Sequence, residues 1–309
     1  MGCAVSPAVA AVFAVFAALL GAGLYEHGRH KVGFSAGPSA DELLYVGRAA
    51  AAQQRWYDAR SAFQLARSRV SATTATDASV QSHAAAKCRA EFLTGYADAQ
   101  LGRHAEAVVA YQGALSMSPI PASEMHWNLA LSLKELARLE EAAEHFGLAA
   151  AHATPPGNPT ALFRQGRALE SLGRVAEAVD GPLRAATVLA SQTGGAVAVD
   201  TDYPVALGVA LASIGRHAEA AAAYSSAVEV TRTSPHATGA MELGGVLINL
   251  GNALHAMDRL SEAAHTYRQA VDAAKTVKLE AAEALAATLT ALQQVSDDSE
   301  QVGSGMGQP

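Results

Sequence analysis

Cysteine is almost absent from the sequence. Cys3 and Cys88 are the only two, which is too few for a disulfide framework or a four-thiolate zinc site. Aromatic residues are also scarce, at 6% of the chain, whereas alanine is abundant. Because alanine is the best helix former and a poor strand former, this composition favours many helices over sheets.

Positive charge is scarce as well. The 22 lysines and arginines are outnumbered by 29 aspartates and glutamates, which gives a formal net charge of −7. A protein that binds nucleic acid normally carries a basic surface. The charge therefore argues against nucleic acid as a partner.

The sequence also lacks the common catalytic and ligand-binding patterns. The 11 histidines are scattered, and none pairs with another histidine or a cysteine at metal-ligand spacing with a carboxylate to complete the set. Gly194-Gly195 and Gly244-Gly245 do not fit a phosphate-binding loop, because no strand precedes them and no Lys-Ser/Thr follows. We therefore expect no catalytic site, no metal site and no cofactor, and we expect the histidines to be solvated helix residues.

A two-helix pattern recurs six times along the chain, with small residues at fixed spacing. The first helix of each copy has one at Gly47, Gly95, Ala130, Gly166, Gly208 and Gly251. Twelve residues later stand Ala59, Ala107, Ala142, Ala178, Ala220 and Ala263. The last small position holds Ala66, Ala114, Ala149, Ala185, Ala227 and Ala270. Small side chains at these places let helix backbones approach closely.

A bulky residue stands between the last two small positions of each copy. It is Phe63, Tyr111, Phe146, Tyr224 or Tyr267, except in the fourth copy, which has Pro182. The turn between the helices repeats too, with an arginine three residues before an acid. These pairs are Arg55 and Asp58, Arg103 and Glu106, Arg138 and Glu141, Arg174 and Glu177, Arg216 and Glu219, and Arg259 and Glu262.

This unit resembles the tetratricopeptide repeat, a helix–turn–helix of about 34 residues with small residues at its close contacts. The last two repeats, from Tyr203 to Lys275, also resemble the longer kinesin light chain repeats. The resemblance implies an all-α fold, a right-handed α-solenoid of about six repeats. We expect it to carry a C-terminal capping helix and an N-terminal hydrophobic helix.

The breaks in the pattern predict the domain organisation. Residues 1–31 form a hydrophobic anchor or signal segment, 32–39 a linker, 40–296 the repeat region and 297–309 a disordered tail. The predicted repeats are 40–73, 88–121, 123–156, 159–192, 201–234 and 244–277, with the capping helix at 279–296. A polar connector is expected from Thr73 to Ser82, and Pro155 to Pro159 is the clearest breaker run.

Repeat four departs from the pattern at Pro182, which lies in a predicted helix interior. Proline there costs about 3 kcal/mol and removes one backbone hydrogen bond. Two outcomes follow from the sequence. Either the second helix kinks, or Asp180 caps a restarted helix with Pro182 in its first turn. The irregularity at Pro182 is either a hinge or a local departure without a functional role, which an array of several similar repeats tolerates.

Residues 4–25 contain no charged side chain and are long enough to cross a bilayer as a helix. The basic residues that follow, among 26–31, predict that the repeats face the cytosol. The same stretch also fits a cleaved signal peptide, with small residues at Gly21 to Gly23. In that case the protein is secreted or lumenal. Gly2 and Cys3 further fit N-myristoylation and palmitoylation.

The resemblance also implies a binding surface, because the first helices of this family line the concave groove. Carrying the family's groove positions over gives a set with aromatic rings beside cations. Its members are Arg89, Phe92, Tyr96, Trp127, Asn128, Lys134, Phe163, Arg164 and Arg167. Such a surface suits a peptide with acidic and apolar anchors.

The sequence therefore predicts a non-enzymatic scaffold or adaptor that is tethered to a membrane through residues 4–25 and binds other proteins or peptides. Two alternatives stay open. One is a repeat-bearing subunit or fragment of an enzyme complex whose catalysis lies elsewhere. The other is a secreted or lumenal binding module, if the N-terminus is a cleaved signal.

Overall fold

A computed structural model describes residues 38–72, 80–117, 122–154, 157–192, 202–233, 243–273, 282–284 and 286–291. These residues are helices and short turns, with no strand. The predicted N-terminal hydrophobic helix lies outside this part of the chain. The chain divides into two compact units, which meet in sequence at Pro156 and Gly157.

The described residues of unit 1 form three helical hairpins. Hairpin 1 is α1 (Ala40–Ala52) and α2 (Trp56–Ala72), hairpin 2 is α3 (Val80–Gln100) and α4 (His104–Ser116), and hairpin 3 is α5 (Ala122–Glu135) and α6 (Leu139–Ala151). Consecutive helices pack on one another, within hairpins and from each hairpin to the next. Ser39 caps α1 in a capping box, because its Oγ accepts from the N–H of Glu42 at 3.3 Å.

Three further hairpins lie in the described ranges of unit 2. Hairpin 4 is α7 (Pro159–Ser171), α8 (Val175–Ala178), a π-helical turn (Val179–Leu183) and α9 (Arg184–Gln192). Hairpin 5 is α10 (Asp202–Ser213) and α11 (His217–Thr233), and hairpin 6 is α12 (Leu243–Ala256) and α13 (Leu260–Ala273). Residues 282–284 and 286–291 are helical too, within the range expected for the capping helix.

Helix α3 is longer than the sequence indicated. It begins at Val80, within the stretch expected to be a polar connector from Thr73 to Ser82, and eight residues before the expected start of repeat two at 88. The run Ala84-Ala85-Ala86 explains the extension, because alanine has the highest helix propensity of all residues.

All six hairpin turns have the same backbone geometry. The residue before each turn arginine has a positive φ, for example 57° at Ala137 and 73° at Gly102. The N–H of each arginine then donates to the carbonyl five residues earlier, as Arg138 does to Leu133 at 2.9 Å. This is the Schellman arrangement, which satisfies carbonyls left unpaired at the end of the first helix.

The turn arginines also meet the acids expected to accompany them. Five of the six form ion pairs with the acid three residues on, at 3.5 Å for Arg55 and Asp58 and at 2.6 to 2.7 Å in the other four. In hairpin 2 the guanidinium of Arg103 instead lies over the ring of Tyr57, 5.9 Å from its centroid. These groups are exposed, and surface pairs of this kind contribute little to stability.

The predicted contact between a small residue and a ring holds each ordinary hairpin together. Phe63, Tyr111, Phe146, Tyr224 and Tyr267 are all at least 97% buried. A Cβ added to Gly95 would lie 2.9 Å from the Tyr111 ring, and one added to Gly208 would lie 2.6 Å from the Tyr224 ring. The glycines are therefore required because the ring of the second helix lies against the backbone of the first.

Hairpin 4 reaches the same packing by a different route. The second helix does not restart with a cap at Asp180, because Val179–Leu183, with Pro182 inside it, makes one π-helical turn that accommodates an extra residue. Leu183, 1% exposed, then takes the place of the ring against Gly166. The last small position likewise moves from Ala185 to the fully buried Ala186.

The π-helical turn also contributes an acid to a cluster of charged side chains in unit 2. Asp180 in this turn accepts a hydrogen bond from Arg216 of the next hairpin at 2.6 Å. Glu219 accepts from Arg216 and from Arg184, each at 2.7 Å. The hydrogen bonds from these two guanidinium groups lower the pKa of Glu219 to about 2, and Arg216 has the larger effect.

No helix in the described ranges is both long enough and apolar enough to cross a membrane. Residues 4–25, on which the anchor prediction falls, are not among the residues described.

The contact between ring and backbone predicts opposite effects for two glycine substitutions within hairpin 2. Gly95→Ala should destabilise unit 1 by about 1–3 kcal/mol, because the new methyl group overlaps Tyr111. Gly113→Ala on α4 is the matched control, since its Cβ would meet nothing closer than the Glu91 side chain at 4.0 Å. It should stabilise the helix by about 0.5–1 kcal/mol. Urea unfolding measures both, and equal effects would contradict the proposed packing.

The shifted register of hairpin 4 predicts which aliphatic side chain there matters. Leu183→Ala should lower the free energy of unfolding by about 2–5 kcal/mol, because a buried side chain is replaced by a cavity. Val188→Ala removes an aliphatic side chain that is 48% exposed and should change stability by less than about 0.5 kcal/mol. Thermal or urea unfolding of the two variants tests this, and a small loss for Leu183→Ala would exclude the shifted register.

Candidate functional site

The predicted groove residues of unit 1 lie on the first helices of hairpins 2 and 3. Arg89, Phe92 and Tyr96 are on α3, and Trp127, Asn128 and Lys134 are on α5. The three aromatic residues are half-buried. We call Phe92, Tyr96 and Trp127 the aromatic surface of unit 1.

Two members of the aromatic surface of unit 1 pack against one hydrophobic cluster. The ring of Phe92 lies 5.7 Å from that of Tyr111, and the ring of Trp127 meets Phe146 edge-on at 5.4 Å. Tyr111 and Phe146 belong to the same buried cluster, against which both Phe92 and Trp127 pack. The structure therefore brings two predicted groove residues from different hairpins to one core.

Tyr96, the third member of this surface, contacts a ring of hairpin 1. Its ring meets Trp56 of α2 edge-on at 5.8 Å. The hydroxyl of Tyr111 is buried and has no hydrogen-bond partner among the described residues. Burial raises its pKa, and the nearby groups of Tyr96, Asp98 and Glu124 raise it further.

The polar residues predicted for unit 1 differ in what they contact. The side-chain amide of Asn128 donates to the carbonyl of Glu124 at 2.9 Å, and the ammonium of Lys134 pairs with Glu135 at 2.9 Å. Arg89 is exposed and lines an open cleft of about 630 Å³ between α1, α2 and α3, together with Asp41. It makes no hydrogen bond or ion pair with the described residues, so Arg89, unlike Lys134, can pair with an acidic ligand without losing an existing partner.

The remaining predicted groove residues belong to α7 of unit 2. Phe163 meets Tyr203 edge-on at 5.1 Å, and the Tyr203 hydroxyl lies 3.0 Å from that of Thr160. Arg167 pairs with Glu170 at 2.6 Å. Arg164 is exposed, and its guanidinium contacts no acid in the described ranges.

Two ion pairs between hairpins 1 and 2 were not anticipated from the sequence. Arg60 of α2 pairs with Asp98 of α3, whose side chain is only 3% exposed. Arg67 pairs with Glu91 at 2.9 Å. A buried carboxylate without a cationic partner strongly destabilises a fold, so the burial of Asp98 depends on its ion pair with Arg60. The partners are 38 and 24 residues apart, and local spacing gives no sign of them.

The expectation that the histidines are solvated is wrong for hairpin 3. Nδ1 of His126 lies 3.0 Å from Nδ1 of His145, and their rings stack at 5.1 Å. His152 stacks on His126 at 5.7 Å. Both His126 and His145 are half-buried. The residues are 19 apart in the sequence, so only pairing of the two helices brings them together.

Within the described part of the chain, no group of three histidine, cysteine or acidic side chains is arranged to hold a metal ion. Cys88 is a free, buried cysteine whose Sγ contacts the carbonyl of Ala114 at 3.2 Å. Gly2 and Cys3, the predicted lipidation residues, lie outside the described ranges.

Recurring helix–turn–helix units with small residues packed against rings define an all-α repeat protein. Three stretches of the chain match sequence profiles described as "Tetratricopeptide repeat", namely residues 92–156, 128–193 and 245–276. These stretches of the chain are tetratricopeptide repeats. The resemblance of the last two repeats to kinesin light chain repeats stays a prediction. A comparison with curated protein sequences found no match.

Solved structures share the fold at low sequence identity. "MamA 41-end from Desulfovibrio magneticus RS-1" aligns with a TM-score of 0.50 at 14% identity, over 65% of this chain and 99% of that one. "MamA RS-1 ArsTM double mutant" aligns with a TM-score of 0.50 at 15% identity, over 64% and 98%. YrrB, described as "a TPR protein with an unusual peptide-binding site", gives 0.48 at 17% identity, over 63% and 87%. Likeness at such identities concerns the fold alone.

Proposed function

We propose that the protein is a non-enzymatic scaffold or adaptor that binds a peptide segment of another protein on the aromatic surface of unit 1. The observation that carries this proposal is the half-buried state of Phe92, Tyr96 and Trp127. Each ring is fixed by a neighbouring ring and still has exposed area. Rigid, partly exposed aromatic residues contribute most of the binding energy in many protein interfaces.

The charges beside this surface define the peptide. Arg89 is exposed and unpaired within the described ranges, whereas Lys134 is already held by Glu135. An acidic side chain of the ligand can therefore pair with Arg89 without breaking an existing ion pair. The ligand is accordingly an acidic peptide with apolar or aromatic side chains. The net charge of −7 makes this local cation a selective feature, because the chain as a whole repels acidic partners.

Unit 2 offers a similar combination on a smaller scale. Phe163 is half-buried against Tyr203, and the exposed Arg164 follows it in the sequence. We propose that these two residues, with Arg167, form a second contact for the same class of peptide. Arg167 is the weaker candidate, because Glu170 already neutralises it.

Selection from a displayed random peptide library tests the binding surface. Wild-type protein should enrich acidic peptides with apolar residues. Tyr96→Ala and Arg89→Glu should each weaken binding of an enriched peptide by about tenfold or more, as expected for loss of an anchor or a charge pair. Tyr57→Ala and Arg268→Glu are matched controls. Tyr57 is 66% exposed on α2, and Arg268 is exposed on α13, both outside the proposed surface.

The controls should bind within about twofold of wild type, because exposed residues outside an interface contribute little. Fluorescence anisotropy gives the dissociation constants, and circular dichroism checks that each variant is folded. Enriched peptides without acidic residues, or equal weakening by all four substitutions, would argue against this surface.

Tethering to a membrane is a separate proposal that rests on the sequence of residues 4–25 alone. It predicts that the full chain stays with the membrane fraction in alkaline carbonate and keeps its original N-terminus. Sequencing of the mature N-terminus decides between anchor and signal. A start near Leu24 would exclude the anchor and favour the secreted or lumenal alternative.

A further inference from the structure

His126 and His145 contact each other in a way that depends on protonation. Their Nδ1 atoms lie 3.0 Å apart, which is hydrogen-bond distance. In this contact one imidazole must donate its Nδ1 proton and the other must accept it with a free lone pair. If both rings were cationic, two N–H donors would face each other. The contact therefore tolerates at most one charge, and we call these residues the His pair.

The surroundings of the His pair oppose protonation more than they favour it. Burial lowers the pKa of His126, and the nearby rings of His145 and His152 lower it further, whereas Glu144 acts in the opposite direction. Burial also lowers the pKa of His145, against the opposing effect of Glu144 and then Glu141. Within the described ranges, the other titratable groups that act on the pair are Glu141, Glu144 and His152. The two acids lie on α6, and His152 follows it directly.

The His pair is adjacent to the aromatic surface of unit 1. His126 contacts His145, and the next residues on the same two helices, Trp127 and Phe146, also contact each other, at 5.4 Å. The two contacts thus form consecutive steps between α5 and α6. A change in the separation of the helices at the His pair must change the position of Trp127 relative to Phe146.

We propose that the His pair regulates the aromatic surface of unit 1 in response to pH. Protonation of both imidazoles breaks the contact, separates α5 from α6 at this step and removes Trp127 from its packed position. Acidification therefore weakens peptide binding. The binding part of this inference rests on the proposed function, whereas the protonation part rests on the geometry of hairpin 3.

The sign of the effect on stability follows from proton linkage. In the folded protein the pKa of each histidine of the pair lies below its usual value of 6.5, which applies in the unfolded chain. The unfolded chain therefore binds more protons as the pH falls through about 6.5. The contribution of the His pair to stability is complete above that pH and is lost progressively below it.

Titration of the full chain by NMR tests the contact directly. The imidazole resonances of His126 and His145, assigned with single variants, should each change in two steps separated by about one pH unit or more, because the rings share one proton. In His145→Gln the remaining His126 should titrate in one step, since glutamine can accept or donate at any pH. A single step for both rings in the wild type would overturn the proposal.

Thermal unfolding and binding provide the functional readouts. The wild-type midpoint should fall between about pH 7.5 and pH 5.5 by more than that of His145→Gln, because the variant has no pair to break. His217→Gln, which removes one histidine of unit 2, should behave as wild type. Affinity for an enriched peptide should fall over the same range in wild type and His217→Gln but much less in His145→Gln. Equal pH dependence in all three proteins would overturn the regulation.

The two readouts also separate the possible failures. If no peptide is enriched, the proposed function fails, while the NMR titration and the unfolding midpoints still test the His pair. If a peptide binds with the same affinity at both pH values while the rings titrate in two steps, the His pair exists but does not regulate the surface, and the proposal as stated is wrong.

Discussion

The fold of this protein depends on one contact, in which a large buried side chain on the second helix of each hairpin, a ring in five of the six, lies against a glycine or alanine on the first helix. Gly208 shows the requirement, since even a methyl group there would lie 2.6 Å from Tyr224. The contact buries a large aromatic side chain in a chain that has few of them. It also fixes how closely the two helices approach, and so it determines which residues of the first helix remain accessible to a ligand.

The turns complement that contact. In each hairpin turn, the arginine after the positive-φ residue donates its N–H to a carbonyl at the end of the first helix. In five hairpins its side chain also pairs with an acid in the first turn of the second helix. The same arginine thus binds a backbone carbonyl at the end of one helix and an acidic side chain at the start of the next. Acids at a helix N-terminus are favourable by themselves. The turn therefore has a defined geometry without a large apolar residue.

The parts of the structure that depend on local spacing could be predicted from the sequence. The close contacts, the turn acids and the capping box at Ser39 all follow from residues within one hairpin. Contacts between distant residues could not, as Arg60 with Asp98 and His126 with His145 show. The predicted groove residues follow from their positions in the repeat, and spacing does not reveal that Lys134 is paired and Arg89 is not. The predicted core positions of hairpin 4 are one residue too early, because the prediction assumes α-helical periodicity and the π-helical turn adds one residue.

The π-helical turn of hairpin 4 has a genetic consequence. Because Val179–Leu183 confines the extra residue to one turn, the helix resumes with its apolar positions facing the core. The insertion of a single codon in the middle of a helix-coding segment is therefore compatible with folding in this architecture. Length variation among such arrays need not be restricted to the segments that join one hairpin to the next.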